Sequence, residues 1–481
     1  MPNDRLNNYV GGVWVSSDAT ETYSVLNPAT TEPLATVPMG GATEVDAAVT
    51  AAKAAYPAWR RTPVVDRVQP LFVLKELLEK HAGEFAATVT KENGKNLSEA
   101  MGSVRRGIQM VEVAVGSPSL MLGQALEDVA RGIDSYSIRQ PMGVFAAIAP
   151  FNFPAMVPMW FFPFAVACGN TFLVKPSEQT PLSQQLMFEL IDEAGFPPGV
   201  LNMVHGGKAA VNAIVEHPDI EGVSFVGSSP VAELVYREAS ARGKRVQALG
   251  GAKNFIVVMP DADREFTLAA LTDSAFGCCG ERCLAAAVIL AVGDAHEWLR
   301  EGLPRHLAKI TVGDGSQDGI YMGPLINEAQ RTKVEGYIAK GVEEGAELLV
   351  DGRGIETGLP GWFVGPTLFD KVDPKMIIAT EEIFGPVMCL SQVGDLDQAM
   401  DVIHAHPLAN ASSIFTTSGA PARKFQYEVD ASMAGINIGV AAPMAFFGFG
   451  GAKGSFFGDL KAHGREAYDF YTDRKVVIAR W

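Results

Sequence analysis

The run Met142-Gly143-Val144-Phe145-Ala146-Ala147-Ile148-Ala149-Pro150-Phe151-Asn152-Phe153-Pro154, continued to Val174, carries no charged side chain. Its length imitates a membrane span, yet Pro150, Pro154, Pro158 and Pro163 sit inside it with Asn152 and Asn170. A lipid-exposed helix interrupted in this way would leave backbone groups without partners. The run therefore reads as a buried strand (Gly143 to Ala149), a turn, an apolar helix (Ala155 to Cys168) and a second strand (Thr171 to Val174). Strands apolar on both faces belong in a parallel sheet covered by helices.

The alternation continues outward. Pro181 to Ala194 reads as a helix, Leu201 to Val204 as a strand, and a helix follows from Lys208. A strand at Gly222 to Val226 and a helix from Pro230 complete the set. A second alternating set runs from Phe255 to Asn437, with strands at Ala286 to Val292, Ser412 to Thr417 and Gly435 to Ile438. The predicted fold class is α/β, with two parallel-sheet α/β domains and a cleft between them. Ala130 to Gln140 and Lys475 to Trp481 look like strands without a crossover helix. Exposed strand edges need partners, so the two segments are expected to pair with each other and with another subunit.

The chain has 481 residues, enough for two or three domains, with 48% hydrophobic and 20% charged side chains. A net charge of −16 argues against a nucleic-acid partner, which needs a basic face. Five cysteines in no framework spacing fit a reducing, cytoplasmic setting. No metal site is expected, because the Cys278 to Cys283 cluster has no second cysteine or histidine pair near it. The first fifteen residues lack a basic region followed by an apolar one, so no signal peptide is expected.

Two segments carry chemistry. Gly277-Cys278-Cys279-Gly280-Glu281-Arg282-Cys283 places a cysteine beside a guanidinium after an apolar helical run, Leu268 to Phe276. Such a setting suits a reactive thiolate, though small core cysteines would read the same way. The second segment is a set of turns after strands. No G-x-G-x-x-G follows a strand, no phosphate-loop motif occurs, and Gly448-Phe449-Gly450-Gly451 is the closest string. Yet Lys175-Pro176-Ser177-Glu178 puts a carboxylate where ribose hydroxyls are held in such sheets. Phe225-Val226-Gly227-Ser228-Ser229 offers free backbone N–H groups to a pyrophosphate. A plain helix cap at Ser228 and a solvated Lys175–Glu178 pair are the bland alternatives; the sheet pattern favours a nicotinamide cofactor.

Pro150-Phe151-Asn152-Phe153-Pro154, Lys175 to Glu178, Phe225 to Ser228, Gly280 to Cys283 and Glu381-Glu382-Ile383-Phe384-Gly385-Pro386 together resemble the aldehyde dehydrogenase superfamily. The match runs from about Tyr9 to Trp481, all in family order. Within the superfamily the chain is most similar to CoA-acylating methylmalonate-semialdehyde dehydrogenases. Ile148 to Trp160, Gly251-Ala252-Lys253-Asn254, Ser455 to Asp459 and Phe470-Tyr471-Thr472 carry that likeness. The resemblance implies a Rossmann-like NAD-binding domain at 1–123 and 142–250 and a catalytic domain at 251–445. It also implies a small β oligomerisation element at 124–141 and 464–481, and a homo-oligomer, dimer or tetramer. Cys283 would be the nucleophile, and Asn152 would donate to the oxyanion with the Cys283 backbone N–H. Lys175, Ser177 and Glu178 would hold the adenosine ribose of NAD, Gly227 and Ser228 its pyrophosphate. Glu382 would hold the nicotinamide ribose, with Phe384 beside the ring.

Departures from the family pattern refine the expectation. Hydrolytic members carry a glutamate before Leu-Gly-Gly, whereas Gln247-Ala248-Leu249-Gly250-Gly251 has a methyl group there. A missing general base, typically worth ~10²–10⁴ in rate, slows attack by water and favours coenzyme A as acyl acceptor. Glu281 or another carboxylate standing in for that base is the alternative. Arg106 and Arg282 match positions where the semialdehyde enzymes bind a substrate carboxylate, for which a guanidinium fork is suited. The expected reaction is NAD-dependent oxidation of malonate or methylmalonate semialdehyde, with decarboxylation and acyl transfer to coenzyme A. Phe255, where the family has histidine, and Gly439 to Pro443, where it is proline-rich, leave open a related short-chain semialdehyde or a plain aldehyde as substrate; an ordinary aldehyde dehydrogenase releasing free acid is the second alternative. A non-catalytic protein with the same fold is the third alternative.

Overall fold

The computed structural model describes residues 5–481. Its first sheet has eight strands, in the order Val13–Val15, Asn8–Val10, Leu201–Met203, Thr171–Lys175, Val144–Ile148, Ile220–Val226, Arg245–Leu249, Phe456–Gly458. The five from Leu201–Met203 to Arg245–Leu249 run parallel, and antiparallel strands close both edges. Val144–Ile148 starts the parallel set at the centre. The chain adds two strands on one side and then two on the other, so the direction of winding reverses beside it. Helices cover both faces. Ala42–Trp59, Lys208–Glu216 and Ser229–Ser240 share one apolar core, while Leu97–Ala114, Phe162–Ala167 and Leu182–Glu193 share the other. All five residues of Val144–Ile148 are buried, as a strand with both faces covered requires.

Prolines alter one expectation. The segment expected as one helix from Ala155 to Cys168 is a 3₁₀ turn, Pro158–Trp160, followed by a short helix, Phe162–Ala167. Pro158 and Pro163 each lie in the first turn of their element, where the missing N–H does no harm.

The second sheet orders Glu347–Val350, Thr367–Asp370, Val387–Val393, Ala286–Val292, Asn254–Val258, Ala411–Phe415 and Met433–Ile436. It is parallel except at the Glu347–Val350 edge. The chain then returns to the first sheet, where Phe456–Gly458 pairs with Arg245–Leu249. A third, antiparallel sheet joins Ala125–Ala130, Ile133–Pro141 and Thr472–Arg480, with Thr472 opposite Pro141 and Arg480 opposite Ile133. The residues ahead of that last strand, expected as part of a strand arm, form the helix Gly464–Phe470 instead. Its Tyr468 and Phe470 are buried in the core of the first sheet. No helix of the described residues is long and apolar enough to cross a membrane.

Candidate active site

Helix Arg264–Phe276 belongs to the second sheet's core and ends at Gly277. Cys278, Cys279 and Gly280 follow in left-handed conformation, with φ of 49°, 53° and 71°, and turn the chain back on itself. A side chain at Gly280 would begin 2.2 Å from the Gly385 carbonyl oxygen, so glycine is what lets the Glu381 to Pro386 loop lie against this turn. Cys283 comes just beyond. Its carbonyl accepts Asn254 Nδ2 at 3.0 Å and Asn410 Nδ2 at 2.8 Å. Asn152, on the loop after Val144–Ile148, donates Nδ2 to the Glu281 carbonyl at 2.9 Å. Lys95, itself buried, holds the Asn152 carbonyl at 2.5 Å. The predicted nucleophile and oxyanion donor thus meet at the carboxyl end of the first sheet, beside the point where its winding reverses.

Cys283 lines a cavity of about 320 Å³ whose wall also includes Arg106, Arg282, Trp160, Phe153 and His463. Burial, then the Glu382 carboxylate, push the Cys283 thiol up to about 12. The neighbouring guanidinium, expected to lower it, only moderates this rise, because Arg282 is directed elsewhere. Arg282 Nη2 meets Glu99 Oε1 at 2.8 Å, Nη1 lies 3.8 Å from Asp273, and Nε donates to Cys278 Sγ at 3.4 Å. Glu99 Oε1 also accepts the Cys278 N–H at 2.7 Å.

Arg106 is different. It rides on helix Leu97–Ala114, started by Asn96, whose side chain accepts the Glu99 N–H. It meets no carboxylate. Its Nη1 and Nη2 reach the Pro443 and Ala442 carbonyls at 3.3 Å each. Burial pushes its proton affinity down with no charged group to offset it. Of the two arginines expected at a substrate carboxylate, only Arg106 has its charge uncommitted.

The residues expected to hold the cofactor lie beyond the carboxyl ends of Thr171–Lys175 and Ile220–Val226, the two strands that flank Val144–Ile148. Lys175 ends Thr171–Lys175 and pairs with Glu178 at 2.9 Å; Lys175 is buried, so the bland solvated pair does not hold. Ser177 is buried too and turns its hydroxyl to the Gln179 N–H at 3.3 Å. Gly227, expected to offer a free N–H to the pyrophosphate, instead donates it to the Leu249 carbonyl at 3.0 Å, extending the pairing of Ile220–Val226 with Arg245–Leu249. Ser228 stands at the cap of helix Ser229–Ser240, yet its side chain makes no cap bond. That helix therefore begins with uncapped donors, the arrangement a pyrophosphate needs. Across the cleft, Glu382 Oε1 accepts the Ala252 N–H at 2.8 Å, and Phe384 meets Phe151 edge-on at 5.9 Å. These residues fit a dinucleotide lying across the end of the first sheet. No group of three His, Cys, Asp or Glu able to hold a metal occurs among the described residues.

Ala248 is wholly buried in the apolar core it shares with Phe225, and it does not line the Cys283 cavity. The acids of that wall are Glu99 and Asp273, and both face Arg282. Glu281, the possible stand-in base, is buried outside the cavity with its carboxyl toward the Ile326 N–H at 3.4 Å. Burial pushes it up to about 8.

Sequence reasoning gave no role to Asn254, Asn410, Glu99, Lys95 or His463. Asn254 lies in the Gly251-Ala252-Lys253-Asn254 motif, but nothing in that string signals a bond to the Cys283 carbonyl.

The aldehyde dehydrogenase family model matches residues 14–477. A malonate-semialdehyde dehydrogenase of Halalkalibacterium halodurans is 50% identical over 478 residues, 99% of each chain. Malonate-semialdehyde dehydrogenase 2 of Geobacillus thermodenitrificans is 51% identical over 476 residues, again 99% of each chain. The crystal structure of a methylmalonate-semialdehyde dehydrogenase from Oceanimonas doudoroffii superposes with a TM-score of 0.98 at 45% identity, covering 99% of this chain and 98% of that one. A Sinorhizobium meliloti crystal structure complexed with NAD gives 0.98 at 39% identity, with the same coverage.

Proposed function

The chain belongs to the aldehyde dehydrogenase family, and we propose that its cleft oxidises malonate or methylmalonate semialdehyde with NAD and passes the acyl group from Cys283 to coenzyme A. The observation that carries this reading is the wall of the Cys283 cavity: one arginine without a counter-ion, and two carboxylates, Glu99 and Asp273, that both lie within ion-pair distance of Arg282.

The Cys283 sulfur adds to the aldehyde carbon while Arg106 holds the carboxylate at the other end of the substrate. The Asn152 amide and the Cys283 N–H stabilise the oxyanion; removing one such donor typically costs ~10²–10³ in rate. NAD, when bound, supplies the two-electron acceptor, and oxidation leaves a thioester on Cys283. Lys175 and Glu178 take its adenosine ribose, the open start of helix Ser229–Ser240 its pyrophosphate, and Glu382 its second ribose. Glu178 disfavours a 2′-phosphate by charge.

The thioester carries a β-carboxylate. Loss of carbon dioxide leaves an enolate that the same oxyanion donors stabilise, and protonation gives the acetyl or propionyl thioester. With Glu99 and Asp273 drawn to Arg282, and Glu382 bonded to the Ala252 N–H, water is poorly assisted at the thioester. The thiol of coenzyme A, a better nucleophile, displaces Cys283 and regenerates it. The exposed third sheet, with Val476, Ile478 and Leu126 each more than half accessible, is read as the seat of a second copy.

The test follows NADH and acyl products from malonate semialdehyde with and without coenzyme A. Acetyl-CoA formation and slow turnover without coenzyme A are expected. Free acid released at full rate without it would overturn the acyl-transfer step.

A further inference from the structure

Beside Arg106 the cavity wall holds three rings, Trp160, Phe449 and His463, that the proposed reaction does not use. Trp160 lies 4.4 Å from Phe449 and 5.5 Å from His463 between ring centroids, the latter edge-on at 73°. Trp160 and His463 are 4% and 1% exposed. His463 adopts φ 44°, a left-handed conformation that a non-glycine residue holds only against strain.

Two atoms here are buried without a hydrogen-bond partner, Trp160 Nε1 and His463 Nδ1. Leaving either unpaired is costly. The backbone of Phe447 lies beside the imidazole and favours its proton, and with that proton on Nε2 the unpartnered Nδ1 carries a lone pair. The indole N–H can only donate. An unused donor and an unused acceptor therefore sit on touching rings. Phe447 belongs to the same loop as Ala442 and Pro443, whose carbonyls hold Arg106.

We infer that His463 is a positioning residue for Arg106. In the substrate-bound enzyme its Nδ1 accepts the Trp160 indole N–H while its Nε2 donates to Phe447. The pair ties the Pro158–Trp160 turn to the loop that aims the guanidinium. This inference rests on the reading of Arg106 as the carboxylate's partner. Burial, reinforced by Arg106, pushes His463 down to about 3, so the neutral ring is the form present at working pH.

The test uses Trp160→Phe, His463→Phe and the double variant, all of which keep a ring in place, with Arg106→Ala as reference. The readout is the ratio of KM for malonate semialdehyde to KM for propanal, with the thermal midpoint alongside. Each single variant is expected to raise that ratio roughly three- to tenfold, the worth of one hydrogen bond. The double variant should raise it no further, because one bond is lost in all three. A ratio that stays at its starting value while Arg106→Ala still raises it would overturn the inference alone, as would single effects that multiply. If Arg106→Ala also leaves the ratio unchanged, the carboxylate reading falls and this inference with it.

Discussion

Arg106→Ala and Arg282→Ala separate a substrate contact from a structural ion pair. Arg106 is half-buried, faces the cavity and is held only by two carbonyls at 3.3 Å. Its loss removes charge-assisted hydrogen bonds to a carboxylate, about 1.5–3 kcal/mol, and exposes no buried anion. At about 1.4 kcal/mol per tenfold, kcat/KM for malonate semialdehyde should fall roughly ten- to a hundredfold relative to propanal. Arg282 is 15% exposed and pairs with Glu99, 14% exposed, at 2.8 Å. Truncating it strands a buried carboxylate, which typically costs about 3–5 kcal/mol of stability. It also unties the turn that leads to Cys283, so both substrates should suffer alike and the thermal midpoint should drop. Steady-state kinetics on the two aldehydes and a melting curve for each variant decide the matter. Equal losses on both substrates in Arg106→Ala would refute the reasoning, as would a selective loss in Arg282→Ala with an unchanged midpoint.

Three further outcomes follow from the same geometry. With Cys283 pushed up to about 12 by burial, alkylation by iodoacetamide without cofactor should climb steadily from pH 7 to 10; a plateau near neutrality, absent in Cys283→Ser, would show a thiolate already formed. Glu281, pushed up to about 8 by burial, binds its proton more tightly folded than unfolded. Its contribution to stability is therefore full at mildly acidic pH, below the unfolded value, and is lost as pH rises through about 8. The thermal midpoint of Glu281→Gln should fall less between pH 6 and 9 than that of the parent, and parallel curves would count against the buried neutral acid. Asn410→Ala removes one of the two amides on the Cys283 carbonyl, at 2.8 Å. It should lower kcat for both aldehydes by about twofold or less while Asn254 remains, and the double Asn254→Ala, Asn410→Ala variant should lower it roughly two- to tenfold with little change in KM; unchanged kcat in the double variant would deny the carbonyl any part in setting Cys283.

The sheets were legible because their strands are apolar without interruption. Ala286–Val292 falls where the sequence places it, and Val144–Ile148 differs from its expected span by one residue at each end. Short elements set by packing were not legible. The paired prolines divide the Pro158–Trp160 turn from its helix, and Gly464–Phe470 is a helix because Tyr468 and Phe470 reach the first core. At the site, motifs identified the residues at strand ends, where the backbone itself delivers the side chain. They could not identify partners brought in across the fold. Glu99 reaches Arg282 over 183 positions and Asn410 reaches Cys283 over 127, and no local spacing encodes either. That is why Arg282 read as a free fork in the sequence when its charge was already taken.

Those distant partners share a physical consequence. An oxyanion hole needs the Cys283 N–H aimed at the reacting carbon before the substrate arrives, because turning a peptide during reaction would spend the stabilisation it provides. A peptide plane is rigid, so fixing its carbonyl fixes the N–H of the residue that follows. The Glu281 carbonyl takes Asn152, and the Cys283 carbonyl takes Asn254 and Asn410. The peptides on either side of Arg282 and Cys283 are thus anchored at 281 and 283, while Glu99 holds the Arg282 side chain between them. In the proposed mechanism Asn152 serves twice: one amide hydrogen secures the loop, and the other remains for the oxyanion. Removing Asn152 should therefore slow chemistry more than a single lost donor accounts for, whereas Asn254 and Asn410, each backing up the other on one carbonyl, should show their full effect only when both are replaced.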